Sequence, residues 1–473
     1  MHALVRLVVV GSLAAGLGCT GQNAGFPMSA ATDAGPDVGT SSADADAADA
    51  QDAGPPAPAR HRIACGYDFT CAIHGDGRVK CWGQNNRGQL GIGSQDVHGL
   101  YGKGMGNDLP FVDLGPGEKA VSLSLGREHA CALLESGKVK CWGGNGSGQL
   151  GLGSHFQPGA HPQDMGSQLA AVDLGSGRTA ITISAGDEST CAVLDDHTVK
   201  CWGNNDGGQL GLGPVLSAGG DAGQMGDALP VVDLGPQAKV VDLSAGFRDT
   251  CAVLVGGALK CWGANDIGQL GTGDPTQHGT TLESMGAALP SPDLGTPFAV
   301  ASASAGGNVE CAVDTTGMLK CFGQNNYGQL GLGDTKTRGL LPGDMAAALA
   351  PVDLGAGTQV AAAAAGGTFT CALLASGSVK CFGDNGNGQL AQGDTLSRGG
   401  QPQDMGDNLP AINFGVTVPA VELAAGMQHA CARFAMDPFA VGARGRRWAS
   451  TRQARPATSS ATNPWILAPI GPP

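Results

Sequence analysis

The residues with the clearest capacity for chemistry are the cysteines, fifteen in a chain of 473 residues. Twelve form six pairs: Cys71 with Cys81, Cys131 with Cys141, Cys191 with Cys201, Cys251 with Cys261, Cys311 with Cys321, and Cys371 with Cys381. Each pair falls 60 residues after the last. Thiols at this spacing can form a disulfide, hold part of a metal site or stay buried and free. A metal site is the poor option, because four ligands need a second pair or a recurring His, and neither accompanies the repeat. Hairpin arithmetic favours disulfides. Cys71 and Cys81 are symmetric about residue 76, so a three-residue loop at 75–77 sets them opposite one another. Such loops want a left-handed residue at their last position. Gly77, Gly137, Gly257, Gly317 and Gly377 fill it, and His197 is the exception; His is among the residues that tolerate positive φ. A directly opposed, non-hydrogen-bonded pair has Cα atoms about 4.5 Å apart, at the short end of the disulfide range. Six disulfides are expected, each worth about 2–3 kcal/mol in the chain-entropy model.

Other chemistry is sparse. There is no H-E-x-x-H, P-loop or G-x-S-x-G on a strand-to-helix turn. The ten His are scattered: His129 and His429 share a repeat position that holds other residue types elsewhere. No catalytic residue, metal site or cofactor is expected. Lys80, Lys140, Lys200, Lys260, Lys320 and Lys380 recur, and read as solvated or as packing through their aliphatic stems rather than as an anion ring. Trp82, Trp142, Trp202 and Trp262, with Phe322 and Phe382, read as packing between repeats. Asp113, Asp173, Asp233, Asp293 and Asp353, with Asn413, precede Gly turns and are expected to cap them.

The elements that must position these residues follow from the period. TCAIHGDGRVKCWGQNNRGQLGIG (70–93) recurs as ACALLESGKVKCWGGNGSGQLGLG (130–153) and last as TCALLASGSVKCFGDNGNGQLAQG (370–393), without insertion or deletion. In the second copy FVDL (111–114), AVSLSL (120–125), ACALL (130–134) and KVKCWG (138–143) read as four short strands bounded by Gly, Asp or Pro. So small a sheet cannot cover its own faces. The copies must stack, and six or seven sheets around an axis make a propeller. The text G-x-x-x-T-C-A-L…G-x-V-K-C-W-G-x-N-x-x-G-Q-L-G resembles the repeat of the regulator of chromosome condensation propellers, over residues 61–432. The resemblance implies an all-β, seven-bladed β-propeller of 60-residue four-stranded repeats. The last blade is incomplete or divergent: Lys, Cys, Trp and Gly are due at 440–443, where Ala440, Val441, Gly442 and Ala443 stand. Either a frameshift or a divergent tail explains the change of text, and Cys431, without its partner, stays free or pairs with Cys65. With FVDL as a first strand, blade one lacks one, and PWILAP (464–469) is the candidate to close the ring.

The ends divide the chain into a signal peptide (1–18), an Ala/Asp/Pro-rich tether (19–60), the propeller (61–432) and a divergent tail (433–473). Arg6, the apolar stretch Leu7–Leu17 and Cys19 have the layout of an export signal and resemble a bacterial lipoprotein signal, with Cys19 the lipidated residue. Plain secretion is the other option. The tether contains a DADAADAQD run without the Gly and Glu of an EF-hand loop, so it reads as solvated linker. The expected location is the outer membrane or cell surface through Cys19, otherwise the medium. The formal net charge of −14 argues against nucleic acid as a partner.

The copies disagree in two places. One is a triplet before the first Cys of each pair: Tyr67-Asp68-Phe69, Arg127-Glu128-His129, Asp187-Glu188-Ser189, Phe247-Arg248-Asp249, Gly307-Asn308-Val309, Gly367-Thr368-Phe369 and Met427-Gln428-His429. The other is the long connection after GQLG. In an up-and-down meander both lie at one end of the sheet, with the constant Gly turns at the other. Loops on a rigid scaffold are where recognition usually sits, and aromatics and Arg usually anchor it. The candidate binding face is Tyr67, Phe69, Arg127, Glu128, His129, Asp187, Glu188, Phe247, Arg248, Asp249, Phe369 and His429. The expected function is recognition of an unidentified protein or other macromolecule, with inhibition of an enzyme as a sub-case. A purely structural envelope protein is the alternative, and a hydrolase using Glu128, Asp187 and Glu188 the minor one. The family's nucleotide-exchange activity is not expected, given export, acidic charge and no matching wedge insertion.

Overall fold

The computed structural model describes residues 60–99 and 105–435, together with the backbone of Trp448–Ser450. Seven antiparallel sheets follow one another along the chain. In the second blade an inner strand, Ala120–Leu125, pairs with a middle strand, His129–Leu134, which pairs with Val139–Gly143. The same triple recurs with middle strands Phe69–Ile73, Ser189–Leu194, Asp249–Leu254, Val309–Asp314, Phe369–Leu374 and Ala430–Phe434. The middle strand is sealed along its length because blades cover both its faces, not one.

The fourth strand differs from its expected place. Val112 lies opposite Val79, and Val172 N–H donates to Val139 O at 2.8 Å. The VDL segment is therefore the outer strand of the preceding blade, not the first strand of the next. Both assignments use the same strands and turns, so the repeat text cannot separate them. What decides is the long connection, which folds back along the outer edge of its own sheet. Blade one is complete without PWILAP, which lies outside the described residues, and it is blade seven whose outer part is not described.

Ring closure joins the inner strands Ile63–Cys65 and Ala420–Ala425. Glu422 Oε1 accepts from the N–H groups of Arg62 and Ile63 at 2.5 and 3.1 Å, and its Oε2 from Arg433 Nε at 2.6 Å. Seams from blade one to blade six use serine instead: Ser122, Ser124, Ser184, Ser244 and Ser304 each accept from a backbone N–H 61 residues away.

In the first six blades the paired cysteines face each other in register across the hairpin. Disulfides join Cys71 to Cys81, Cys131 to Cys141, Cys191 to Cys201, Cys251 to Cys261, Cys311 to Cys321, and Cys371 to Cys381. Their Cα atoms are 4.0–4.1 Å apart, closer than the spacing expected from an ideal sheet, and none of the twelve has exposed surface. Blades five and six carry Phe322 and Phe382 where earlier blades carry Trp, yet Cys321 and Cys381 keep the same register and the same bond. The aromatic belongs to the packing between blades and the bridge to the hairpin, so one varies without the other.

The hairpin turns have the expected handedness, with Gly77 at φ 89° and His197 at 67°. Trp142, Trp202 and Trp262 are fully buried and donate to the carbonyls of Gln89, Gln149 and Gln209 in the preceding blade at 2.9–3.0 Å. The last Gly of each GQLG makes room: a Cβ on Gly151 would lie 2.8 Å from Trp202 Nε1. The Asp–x–Gly turns are capped, as at Asp113 Oδ1, which accepts from Gly115 N–H at 2.9 Å.

Candidate recognition face

Each triplet spans the turn between inner and middle strands, and each long connection starts beside it. Gln84, Gly144, Asn204, Ala264, Gln324 and Asp384 donate their N–H groups to the second triplet carbonyls of their own blades, at 2.7–3.0 Å. The two variable zones therefore form one surface. The opposite end is bonded separately, for example by Glu135 N–H to Lys119 O at 2.8 Å.

The three triplet positions have three different surroundings. First positions ring the axis. Tyr67 and Phe247, from blades one and four, reach across it and stack with centroids 6.3 Å apart and 12° between planes. The Arg127 guanidinium lies 5.4 Å from the Tyr67 ring and 3.7 Å from Asp187 Oδ2. Met427 joins this rim, while Gly307 and Gly367 leave one side low, over a cavity of about 190 Å³. Burial raises the Asp187 carboxyl to about 6 against the pull of Arg127.

Second positions point outward onto the neighbouring connection. Glu128 meets Arg87 at 3.3 Å, Glu188 accepts from Ser147 Oγ at 2.9 Å, and Arg248 meets Asp206 at 3.2 Å. Each of these acids thus has a partner of its own. The long connections add apolar side chains that residue-by-residue reading missed: Val97, Phe156, Leu216, Leu282, Leu341 and Leu396 are exposed, so that each of six connections offers at least one. Their sequence signal is an apolar residue in a polar segment: Phe156, Leu216 and Leu396 share one repeat position, whereas Val97, Leu282 and Leu341 are displaced from it.

A family model described as the regulator of chromosome condensation (RCC1) repeat matches residues 61–89, 120–149, 180–209 and 360–389. A second model of that description matches 76–133, 136–193 and 317–373. Residues 61–209 and 317–389 thus carry regulator of chromosome condensation repeats. It is 27% identical over 354 residues to the ultraviolet-B receptor UVR8 of Arabidopsis thaliana, covering 71% of this chain and 68% of the receptor. It is 27% identical over 285 residues to the secretion-regulating guanine nucleotide exchange factor of Bos taurus, covering 58% of this chain and 57% of that protein. Among solved structures, human WBSCR16 gives a TM-score of 0.59 at 18% identity, covering 82% of this chain and 86% of the other. Prp20p from Saccharomyces cerevisiae gives 0.58 at 17%, covering 83% and 82%. These structures share the propeller fold.

The third triplet position corrects the sequence reading. Phe69, His129, Asp249 and Phe369 are buried, and His429 is half-buried with its ring against Thr70. In blades one to six the middle strand begins one residue earlier than expected, so this position belongs to the repeat's strand and not to its loop, while His429 directly precedes its strand. It faces the next blade. His129 Nε2 meets Thr190 Oγ1 at 3.0 Å, and His429 Nε2 meets Thr70 Oγ1 at 2.9 Å. Burial lowers both histidines to about 4, which keeps them neutral. These residues match one blade to the next and form no part of the recognition face.

For the recurring lysines the structure chooses between the two expected readings. They tie the VDL segments and the connections to the sheets, donating to backbone carbonyls 26 to 29 residues on or back. Lys140 Nζ reaches Leu114 O at 2.7 Å, Lys200 Nζ reaches Gly226 O at 2.7 Å, and Lys260 Nζ reaches Leu289 O. Lys140, Lys200 and Lys320 are buried rather than solvated.

One seam is chemically unlike the others. Asp249 faces Glu310, both buried, with carboxyl oxygens within 4.8 Å. Asp249 Oδ1 and both Glu310 oxygens make no hydrogen bond. The nearby Cys251 sulfur is committed to Cys261. Burial raises Asp249 to about 7, and burial together with the Asp249 charge raises Glu310 well above the usual carboxyl range. The folded state thus holds protons that the unfolded chain releases near pH 4. Their stabilisation is fully present below pH 4 and is lost as pH rises through 7, at about 1.4 kcal/mol per pH unit for one group. Asp187 and Asp242, both raised to about 6, act in the same direction. The melting temperature is expected to fall between pH 5 and 8, and E310Q to flatten that slope. A slope unchanged in E310Q would show that the seam does not carry it.

Proposed function

We propose that this protein is an exported recognition module, anchored through a lipidated Cys19, that binds a protein partner at the variable end of its propeller. The observation that carries this reading is the sorting of variation in the repeat. Variation at the third position is absorbed by the seams, while at the first two positions and in the long connections it yields exposed or half-exposed Arg, aromatic and apolar side chains. Arg and aromatics on a rigid frame are the usual anchors of interfaces. The six disulfides suit an oxidising, extracellular environment, and no helix among the described residues is long and apolar enough to cross a membrane. The related Prp20p binds Gsp1p and histones and has been seen bound to Kap60. Protein binding is the property carried over here; the identity of those partners is not. Inhibition of a secreted or surface enzyme is the form of binding that needs no chemistry from this chain.

The test uses one variant at each end of the propeller. Replacing Arg127, Phe247 and Arg248 by Ala is expected to weaken binding of the captured partner at least tenfold. Replacing Glu135 and Lys138, exposed at the opposite end, is expected to leave it unchanged. The reverse pattern would move the site to the other end.

A further inference from the structure

The closing seam contains two cysteines that the repeat does not use. Cys65 ends the inner strand of blade one, where the other blades carry Leu125, Ala185, Ala245, Ala305, Ala365 and Ala425. Cys431 occupies the middle-strand position whose sulfur, in blades one to six, is bonded across the hairpin. Its register partner is Ser450, so its own hairpin offers no second sulfur. Both are free thiols, Cys431 buried and Cys65 partly so. Their sulfurs lie within 4.8 Å of one another and of a His429 ring nitrogen. Thr70 Oγ1 sits among them, 3.8 Å from Cys65 Sγ, 3.9 Å from Cys431 Sγ and 2.9 Å from His429 Nε2.

The equivalent seam between blades two and three shows what is added. There the His129–Thr190 pair stands alone, because Cys131 is bonded to Cys141 and position 185 is Ala. Only where the ring closes does a second cysteine face the first. Two neighbouring thiols in a chain that already carries six disulfides meet the same oxidising surroundings as the other twelve cysteines.

We propose that Cys65 and Cys431 form a seventh disulfide, which joins the first blade to the last and closes the propeller covalently. In forming it, both S–H bonds break and one S–S bond forms. The two protons and two electrons pass to the disulfide of a thiol–disulfide exchange partner, which becomes a dithiol. Burial and the neighbouring Cys431 hold the Cys65 thiol well above its ordinary range, so the bond forms by catalysed exchange rather than by spontaneous thiolate attack. Every cysteine then has a fate: twelve in hairpins, two in the closure and Cys19 in the anchor.

The test is a peptide map of the full chain made in an oxidising compartment, denatured and alkylated without reductant. Trypsin is expected to yield residues 63–78 joined to both 81–87, through Cys71, and 399–433, through Cys65. In C65S the 399–433 peptide is expected to separate with Cys431 alkylated. Unfolded in guanidinium, the oxidised chain should also elute as a more compact species than C65S, a readout that does not depend on C65S folding. Quantitative alkylation of both Cys65 and Cys431 before reduction would overturn the proposal. So would one zinc or copper ion per chain released on alkylation, which would make the Cys65–His429–Cys431 cluster a metal site.

Discussion

E422A is expected to lose about 3–5 kcal/mol of stability, because it removes the clasp of the ring and strands a mostly buried guanidinium. Glu422 alone satisfies two backbone N–H groups of blade one and the Arg433 side chain of blade seven. Its carboxylate is about one-tenth exposed and Arg433 about one-fifth, so water replaces neither partner cheaply. E422Q keeps an acceptor for the backbone but not the charge, and should fall between the two. Denaturant midpoints for the three proteins check this. A loss under 1 kcal/mol in E422A would mean that the ring is closed by other contacts.

Replacing Cys191 and Cys201 together by alanine is expected to cost about 2–5 kcal/mol, the usual range for removing a native disulfide. Two terms contribute: the eleven-residue ring constrains the unfolded chain less than a long one would, and the fully buried sulfurs leave a small void. Each blade contacts mainly its neighbours, so the same change at Cys371 and Cys381 in blade six should add to that in blade three. Unfolding curves of the two double variants and the quadruple variant measure this. Strong non-additivity would show coupling between distant blades. With their sulfurs inaccessible, all six bridges should resist dithiothreitol until the chain unfolds.

Much of this architecture is legible because the repeat prints each local constraint six times. The three-residue loop, the register of Cys71 against Cys81 and the positive φ at His197 all follow from turn geometry. The register of Cys321 and Cys381 follows in the same way, although the aromatic beside them changes. Three features do not. VDL reads as the first strand of the wrong blade because the same turn flanks it under either assignment, and only the path of the connection distinguishes them. The third triplet residues read as loop because their types vary, yet the variation compensates across a seam, as His129 with Thr190 shows. That compensation links residues 61 apart, which a period of 60 aligns with the wrong neighbours. The lysines read as solvated or as packing through their stems, and the pattern does not choose between the two; their burial depends on backbone carbonyls that no side-chain pattern announces.

The recognition reading is tested most directly by affinity capture from envelope and culture fractions with the oxidised propeller as bait. The control bait carries Gly-Ser at the first two positions of all seven triplets and keeps the third, so that every seam stays matched. The account predicts a protein held by the first bait and lost by the control, with both baits melting at similar temperatures. Equal capture by both, or capture abolished only by changes at the Gly-turn end, would contradict it.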